Sequence, residues 1–489
     1  MKNSVRFPSK ETIGLVLGPL LFILFFFFIK PETLSVEGRA ILASSIWVAT
    51  WWMTEALPIA VTALLPIVIF PLSGGLSLAE TSASYGHKYI FLYIGGFILA
   101  IAIERWNLHK RIALNIINII GTDQRKIILG FMVATAFLSM WISNVATTVM
   151  MLPIGLAISI RLKDNPTTKV NEHLQFGKSL MIAIAYSASI GGISTLVGTA
   201  PNLVFAGIIE EIYNVEISFT NWMVVGLPIS VLLLLCSWYY ITYRAFDFRE
   251  KSFPGGKQLI KEQLKRLGKL SEEERKVLTI FTLTALCWIC RSVFLDKYIP
   301  GLDDSVIAIG ACILLFIVPS SASDSGKLLD WEEAVKIPWG VILLFGGGLA
   351  IATGFKSSGL AAWIGTQLSY LNGIDVFLIL VILVAAINFL TEITSNLATT
   401  SMMLPVLAPL GLSIGIHPFI LMAACTISAS CAFMLPVATP PNAIVFGSGY
   451  LKIKDMARVG IWMNIFAIII ISLYAYFFIP KLWELPLIS

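Results

Sequence analysis

The chain has 489 residues, and only 13% of them are charged, against about 25% in a typical soluble domain. Hydrophobic residues make up 57% of the chain, and the mean hydropathy is +0.85. These values exclude a soluble enzyme and predict an all-α polytopic membrane protein without a separate soluble domain. The net charge of +5 comes from loops between membrane segments and does not indicate nucleic-acid binding.

Ten apolar runs follow one another along the chain, and several reach the ~20 residues that a helix needs to span a bilayer. Together with the interrupted segments described below, they predict about eleven membrane crossings. With the N-terminus in the cytoplasm, 27 of the 34 Lys and Arg residues fall in cytoplasmic segments, as the positive-inside rule requires. The other seven, among them Lys88 and Arg291, fall outside. The cytoplasmic segments are residues 1–11, 55–58, 105–126, 161–178, 243–276, 320–337 and 450–458. We therefore predict a multi-pass protein of the plasma (inner) membrane whose C-terminus lies outside. The apolar runs are residues 12–29, 40–54, 59–72, 89–103, 221–243, 277–290, 305–319, 338–353, 374–390 and 459–480.

A near-duplicated string divides the chain into two halves. WISNVATTVMMLPI at 141–154 returns as TSNLATTSMMLPV at 394–406, and GTAPN at 198–202 returns as ATPPN at 438–442. Self-similarity between the halves of a membrane chain is typical of transporters that are built from repeats. We predict a first repeat with an N-terminal helix, a cytoplasmic connector and a second repeat at residues 1–242, 243–276 and 277–489.

Each repeat is expected to contain a re-entrant hairpin followed by a broken helix. The Ser143-Asn144 pair lies midway between two basic stretches, so both ends of its hairpin are expected in the cytoplasm. The Ser395-Asn396 pair lies in a stretch without Lys or Arg, so its hairpin is expected to enter from outside. The two repeats would then have inverted topology. Gly and Pro interrupt the segment after each hairpin, which predicts hairpins at 126–161 and 375–417 and broken helices at 179–209 and 418–449.

The polar tips of the hairpins predict the chemistry of the site. The second half-helix of each hairpin begins at the tip, and its unpaired N–H groups attract an anion. The Asn and Ser oxygens, with carbonyl groups freed in the broken helix, can instead coordinate Na+. Two half-sites that face each other suit a dicarboxylate, with one carboxylate at each tip. The sequence contains no HExxH, GxSxG or P-loop motif, so we predict a transporter that is neither an enzyme nor driven by ATP.

In these doubled motifs the sequence resembles the divalent anion/sodium symporter family of di- and tricarboxylate carriers, over essentially its whole length. The resemblance implies scaffold and transport domains, an elevator-type alternating-access mechanism and a homodimer, with sodium ions and no other cofactor. It implies substrate binding by Ser143, Asn144, Val145, Ser395, Asn396, Leu397, Thr199, Thr439 and Pro440. It also implies two sodium sites, one at Ser139, Ser143, Asn144 and Gly198 and the other at Thr391, Thr394, Asn396 and Ala438.

The sequence departs from the family pattern at the third position of each tip. Val145 and Leu397 stand where the family has Thr, so two hydroxyl groups that could contact substrate are absent. This departure favours exchange of C4–C5 dicarboxylates (2-oxoglutarate, malate, succinate or fumarate) over ordinary sodium symport. Sodium-coupled symport, transport of another anion such as citrate or sulfate, and a channel remain as alternatives. Glu392 adjoins the second tip, where an ionisable group is costly and has a role, either in structural support or in coupling.

Overall fold

The computed structural model of the protein describes residues 9–121, 123–160, 171–248, 256–371 and 373–487. Within these ranges the chain is predominantly helical, and its only β-type contact is an isolated bridge between Pro319 and Lys327. The predicted all-α class is therefore confirmed. Five helical stretches are long and apolar enough to cross a membrane: Lys10–Phe28, Leu78–Arg105, Phe219–Ala245, Trp339–Ser357 and Ile453–Phe477.

The first half of the chain contains the first twelve helices of the described residues. Two of them, α1 and α12, end in π-helical turns at Leu24–Phe28 and Ile241–Ala245. The helices are α1 (Lys10–Ile23), α2 (Val36–Thr54), α3 (Ile59–Thr62), α4 (Leu65–Ser73), α5 (Leu78–Ala83), α6 (Lys88–Arg105), α7 (Leu108–Ile120), α8 (Gln124–Ser139), α9 (Asn144–Ser159), α10 (Glu172–Gly192), α11 (Ala200–Tyr213) and α12 (Phe219–Tyr240).

The second half of the described chain contains twelve further helices. Short 3-10 turns lie at Leu295–Lys297 and Ser369–Leu371 in this half and at Ser84–Gly86 in the first half. The helices are α13 (Gly256–Leu267), α14 (Glu272–Arg291), α15 (Asp304–Ile317), α16 (Trp331–Ala334), α17 (Trp339–Ser357), α18 (Leu360–Leu368), α19 (Val376–Leu390), α20 (Asn396–Ser413), α21 (Pro418–Ala429), α22 (Pro440–Phe446), α23 (Ile453–Phe477) and α24 (Ile479–Leu482).

The two helix pairs that carry the tips begin in the same way. Asp123 precedes α8, and its carboxylate accepts a hydrogen bond from the N–H of Lys126 at 2.9 Å. Asp375 precedes α19, and its carboxylate accepts one from the N–H of Leu378 at 3.0 Å. Such side-chain caps satisfy N–H groups that the first turn of a helix leaves free. The same local signal therefore begins a helix pair in each half.

The centre of the molecule is formed by α10 and α21. α10 is buried from Ser179 to Gly192, and α21 is buried from Pro418 to Ala429. α10 packs against α8 and α9, and α21 packs against α19 and α20. At Gly191 an added Cβ would lie 2.3 Å from the carbonyl oxygen of Ala136, so the backbones of α10 and α8 touch. Each tip is thus held against a buried stretch of helix.

Charged side chains pair in two separate groups. In the first group Arg105 contacts Asp330 at 2.6 Å, Arg111 contacts Glu274 at 3.0 Å and Lys178 contacts Asp455 at 2.8 Å. Each of these pairs joins two segments that the sequence analysis assigns to the cytoplasm.

The second group of pairs contains Lys88 and Arg291. Lys88 contacts Glu210 at 2.9 Å and Asp303 at 3.1 Å, and Arg291 contacts Asp304 at 2.8 Å as well as Glu216. Each of these pairs joins segments that the sequence analysis assigns to the outside. The contacts therefore connect segments of the same expected side.

Several elements differ from the sequence-based expectation. The apolar run 59–72 is divided into α3 and α4, with Pro66 near the start of α4. Residues 105–126, predicted as a cytoplasmic segment, contain α7, which buries one face through Leu108, His109, Ala113, Leu114 and Ile117. The predicted connector 243–276 begins within the π turn after α12, which reaches Ala245, and ends within α14, which begins at Glu272.

Candidate functional site

The first tip lies between α8 and α9. α8 ends at Ser139 and α9 begins at Asn144, with Ser143 as its N-cap residue. The Ser143 hydroxyl accepts a hydrogen bond from the N–H of Ala146 at 3.2 Å. Ser143 and Asn144 are half-buried at this point. The start of α9, with its free N–H groups, is therefore presented at the tip.

Three oxygen atoms converge behind the first tip. The Ser139 Oγ lies 2.6 Å from the Oδ1 of Asn144 and 2.7 Å from the carbonyl oxygen of Ala188 in α10. A hydroxyl group has one proton, so it can donate to only one of these oxygens at a time. The other short contact joins two oxygens without a proton between them. Such a cluster has the chemistry that a small hard cation requires.

Two glycines let further carbonyl groups approach the same cluster. A Cβ at Gly192 would lie 2.5 Å from the Asn144 Oδ1 and 3.1 Å from the Gly198 carbonyl oxygen. A Cβ at Gly198 would lie 2.5 Å from the Gly192 carbonyl oxygen and 3.0 Å from that of Ser139. A side chain at either position would fill the space around the oxygens. The structure thus brings Ser139, Asn144 and Gly198 together.

The second tip, between α19 and α20, repeats this arrangement. The Thr391 Oγ1 lies 2.7 Å from the Oδ1 of Asn396 and 2.8 Å from the carbonyl oxygen of Ala429 in α21. The hydroxyl, the amide and the carbonyl group occupy the places of Ser139, Asn144 and Ala188. The argument about one proton and two acceptors therefore applies here as well.

Thr394 and Ala438 make hydrogen bonds with other residues than Asn396. The Thr394 Oγ1 donates to the carbonyl oxygen of Leu390 at 2.8 Å and lies 2.6 Å from the Thr399 Oγ1. Ala438 is buried, and its N–H donates to the carbonyl oxygen of Leu435 at 3.2 Å. Among the described residues, no hydrogen bond joins either residue to Asn396. The second cluster is therefore built first of all from Thr391, Asn396 and the carbonyl group of Ala429.

An asparagine supports the non-helical segment in each half. The Nδ2 of Asn202 donates to the carbonyl oxygens of Gly192 at 3.0 Å and Thr195 at 2.7 Å. The Nδ2 of Asn442 donates to the carbonyl oxygens of Ala432 at 3.2 Å and Leu435 at 3.0 Å. These residues were not among the predicted site residues, although both end the repeated motifs GTAPN and ATPPN. Each holds the chain where it leaves a buried helix.

Glu392 supports the non-helical segment of the second half only. Its carboxylate accepts hydrogen bonds from the N–H groups of Phe433, Met434 and Leu435 at 2.8, 2.9 and 3.1 Å. It also accepts one from the Nδ2 of Asn464 in α23 at 2.7 Å. Four donors around one buried carboxylate satisfy a charge that would otherwise be costly. Of the two roles considered for Glu392, structural support is the one that this geometry favours.

The helices after the tips pack across the two halves. α9 of the first half contacts α22 of the second, and α20 of the second half contacts α11 of the first. α11 and α22 are the short helices that follow Thr199 and Thr439. The Thr439 Oγ1 accepts a hydrogen bond from the N–H of Asn442 at 3.3 Å, whereas Thr199 makes no such cap. The helix that begins at each tip therefore packs against a helix of the other half.

The remaining predicted substrate residues differ in exposure. Val145 is 42% exposed, whereas Leu397 is 6% exposed and belongs to the hydrophobic core. Ser395 is half-buried, and Pro440 is exposed at the start of α22. The two positions where threonine is missing thus have different surroundings.

A cavity of about 580 Å³ lies beside the first tip. α9 forms one of its walls, and the end of α6 and the start of α7 form another. Its lining includes Ala146, Thr147, Met150, Pro153, Glu104, His109 and Lys110. The cavity thus connects the tip with the segment that the sequence analysis assigns to the cytoplasm.

Sequence reasoning missed the carbonyl groups of Ala188 and Ala429. Every residue has a carbonyl group, so the residue type gives no indication of this role. A signal was nevertheless present, because Ala188 lies in SASI at 187–190 and Ala429 lies in SASC at 428–431. The two strings mark equivalent positions in α10 and α21.

Comparison with known proteins agrees with this architecture. The chain is 49% identical over 484 residues to the sodium-dependent dicarboxylate transporter SdcS of Staphylococcus aureus strains RF122 and USA300, covering 98% of this chain and 93% of each relative. Among solved structures, MtrF of Neisseria gonorrhoeae, which represents a class of antimetabolite efflux pumps, is similar with a TM-score of 0.59. The identity is 12%, and the similarity covers 97% of this chain and 96% of MtrF.

The YdaH transporter of Alcanivorax borkumensis is similar with a TM-score of 0.60 and 12% identity, over 91% of this chain and 100% of YdaH. At this identity the two solved structures support the membrane-transporter fold alone. The transmembrane region of the sodium:sulfate symporter family matches residues 9–485. The chain therefore belongs to the sodium:sulfate symporter family, a family of membrane transporters rather than enzymes, as its doubled motifs indicate.

Proposed function

We propose that this protein is a sodium-coupled symporter of C4–C5 dicarboxylates such as succinate, malate, fumarate and 2-oxoglutarate. The observation that carries this proposal is the pair of matching oxygen clusters, one at Ser139, Asn144 and Ala188 and one at Thr391, Asn396 and Ala429. Each cluster suits a sodium ion, and each adjoins the start of a helix that attracts a carboxylate. The 49% identity to a sodium-dependent dicarboxylate transporter supports the same assignment.

The proposal replaces the preference for exchange that the tip sequences suggested. That preference was based on Val145 and Leu397, which lack the hydroxyl group of threonine. Neither residue takes part in the hydrogen bonds of the oxygen clusters. Loss of these two hydroxyl groups therefore leaves the proposed sodium ligands intact, and symport becomes the better supported mode of coupling.

The roles of individual residues follow from their places around the tips. Sodium would bind at Ser139, Ser143, Asn144 and Gly198 in the first half and at Thr391, Thr394, Asn396 and Ala438 in the second. The carbonyl groups of Ala188 and Ala429 would contribute further ligands. The two carboxylates of the substrate would bind at Ser143-Asn144 and Ser395-Asn396, bordered by Val145, Leu397, Thr199, Thr439 and Pro440.

Sodium coupling is also supported by the energy of moving a dianion. Moving one charge across a potential of 100 mV costs about 2.3 kcal/mol, so a dianion that enters a negative cell costs about 4.6 kcal/mol. Two sodium ions would cancel this charge, and the number of oxygen clusters is also two. A third ion would make uptake respond to the membrane potential.

We further propose how the fold performs transport. Eleven crossings and two re-entrant hairpins in inverted repeats place the N-terminus in the cytoplasm and the C-terminus outside the plasma membrane. α8 to α12 and α19 to α23 would form a transport domain that moves against a scaffold in an elevator-type cycle, within a homodimer. The cavity beside the first tip would be the route to the cytoplasm.

Uptake into proteoliposomes tests this function. Empty vesicles that contain the purified protein should accumulate labelled succinate when sodium is supplied outside, and malate, fumarate and 2-oxoglutarate should compete. Uptake should be close to background without sodium, since the substrate dianion then enters without a compensating charge. Citrate and sulfate in the same competition assay test transport of another anion.

The same vesicles distinguish symport from exchange. Vesicles preloaded with unlabelled succinate should show slow exchange in the absence of sodium. Rapid sodium-free exchange, with little uptake into empty vesicles, would contradict symport and restore the antiport mechanism. Asn144→Ala and Asn396→Ala serve as inactive controls, since each removes an amide at a tip.

A further inference from the structure

A second cavity, of about 470 Å³, lies at another place in the molecule. It is bordered by the first two turns of α10, the π turn at the end of α12 and the first turns of α23. Neither tip contributes a residue to it. The proposed transport function gives this cavity no role.

The charged residues that line this cavity are mostly basic. They are Lys178, Arg244 and Arg458, with one carboxylate, that of Asp455. The Lys178 Nζ lies 2.8 Å from this carboxylate, so the two charges compensate each other. Neither arginine forms an ion pair within the described ranges of the chain. Two guanidinium groups are therefore left to attract an anion.

The surrounding helices add to this attraction. α10 begins at Glu172 and α23 begins at Ile453, so both present their N-terminal turns to the cavity. The N-terminal end of a helix carries a partial positive charge and favours a bound phosphate. Arg244 lies in the π turn that ends α12, where its positive charge also compensates the partial negative charge of that helix end. That local role accounts for one arginine and leaves Arg458 unexplained.

The remaining wall of the cavity is aromatic. Tyr240 and Phe466 contact each other at a ring distance of 5.4 Å, and Trp462 adjoins Phe466 at 6.4 Å. Trp462 is 52% exposed on α23, a helix long enough to cross a membrane. Tryptophan and tyrosine are common where a membrane protein meets the lipid headgroups. The cavity therefore combines an anion-binding end with an apolar side.

We propose that this cavity binds the phosphate group of an anionic phospholipid, with Arg244 and Arg458 on the phosphate and Trp462 beside an acyl chain. Basic pockets between membrane helices on the cytoplasmic side are a known form of headgroup site. A free phosphate ion would use the guanidinium groups alone, whereas a phospholipid uses the aromatic wall as well. The site is separate from the proposed transport chemistry.

Binding of phosphatidylglycerol to the purified full-length protein tests this proposal. We expect Arg244→Gln with Arg458→Gln to weaken binding, measured by native mass spectrometry, by about thirty-fold, because each basic residue near a headgroup is worth about 1 kcal/mol. The control carries Lys265→Gln with Arg266→Gln, the same charge change on exposed residues of α13. It should bind as the unmodified protein does, and phosphatidylcholine should bind weakly to all three.

Two results would overturn the proposal. One is equal phosphatidylglycerol binding by the Arg244/Arg458 variant and its control, with unfolding temperatures that show both to be folded. The other is full displacement of the lipid by equimolar inorganic phosphate, which would identify a site for a free anion. Trp462→Ala should weaken binding of phosphatidylglycerol but leave that of glycerophosphoglycerol, which has no acyl chains, unchanged. Equal loss of both would contradict the assigned acyl-chain contact.

Discussion

A single hydroxyl group at each tip lies between two acceptor oxygens. Replacing Ser139 by Ala, or Thr391 by Val, removes that hydroxyl and keeps the amide of Asn144 or Asn396. We expect the half-saturating sodium concentration for uptake to rise about two- to ten-fold in each variant, since one polar contact of this kind is worth about 0.5–1.5 kcal/mol. The sodium dependence of succinate uptake measures this change.

A matched control for these variants lies on α14. The exposed Thr279 donates its hydroxyl to the carbonyl oxygen of Arg275 at 2.9 Å, so Thr279→Val also removes one hydroxyl. Its sodium dependence should stay unchanged. If the tip variants behave like this control, the hydroxyl groups are not sodium ligands.

The carboxylate of Glu392 should contribute mainly to stability. Glu392→Gln replaces one oxygen by an NH2 group, which faces an N–H donor of the 433–435 segment. We expect the free energy of unfolding to fall by about 1–3 kcal/mol, the cost of leaving a buried polar group unsatisfied. Unfolding in detergent measures the loss. A raised sodium requirement at unchanged stability would instead show that the charge acts on coupling.

At this scale, the side chains of the site are easier to predict than its backbone groups. Asn144 and Asn396 are conspicuous in the sequence because a polar amide is unusual in an apolar stretch. The carbonyl groups of Ala188 and Ala429 and the N–H groups around Glu392 have no such signature. The two carbonyl groups lie beside the tips, and the N–H groups beside Glu392, only because α10, α21 and the segment after α21 pack there. That information depends on packing between distant parts of the chain.

At the scale of elements, Arg291 connects α14 with its neighbours on the side assigned to the outside. Its buried guanidinium contacts Asp304 at the start of α15 and Glu216 in the loop before α12. Arg291→Met should lower the free energy of unfolding by about 3–5 kcal/mol, because Asp304 is left buried without its partner. Chemical unfolding of the purified protein in detergent measures this value.

A double variant separates charge from packing at this position. Arg291→Met combined with Asp304→Asn removes both charges, and the Asn oxygen can still accept from the N–H of Phe219. The double variant should be more stable than Arg291→Met alone. Equal or lower stability would mean that Arg291 acts through packing.

Helices of two kinds differ in how well the sequence predicts them. Long apolar runs such as α12 and α23 are recognised by composition alone. α7 and α18 are short, and only one face of α7 is buried. Their sequence pattern is that of surface helices. Lys110 and Arg111 make the sequence of α7 resemble that of a loop. What makes α7 a helix of this fold is its packing against α8 and α13.

At the scale of the whole molecule, the proposed topology gives a direct prediction. In a cysteine-free background, Lys265→Cys on α13 should react with a membrane-impermeant thiol reagent from the cytoplasmic side. Lys297→Cys, in the loop before α15, should react from outside. Both residues are exposed, and they are expected on opposite sides of the membrane. Labelling of intact cells and inverted vesicles measures this. Reaction of both from one side would contradict the proposed topology.

The packing of α9 against α22 has a consequence for synthesis of the protein. α9 leaves the ribosome long before its neighbour, because α22 follows roughly 300 residues later. α9 therefore lacks one of its packing partners while most of the second half is still being made. We expect a nascent chain that stops before residue 440 to be digested by protease at the first tip, and one in which residue 446 has left the ribosome to resist. The last tenth of the chain would thus complete a site whose motif is encoded in its first third.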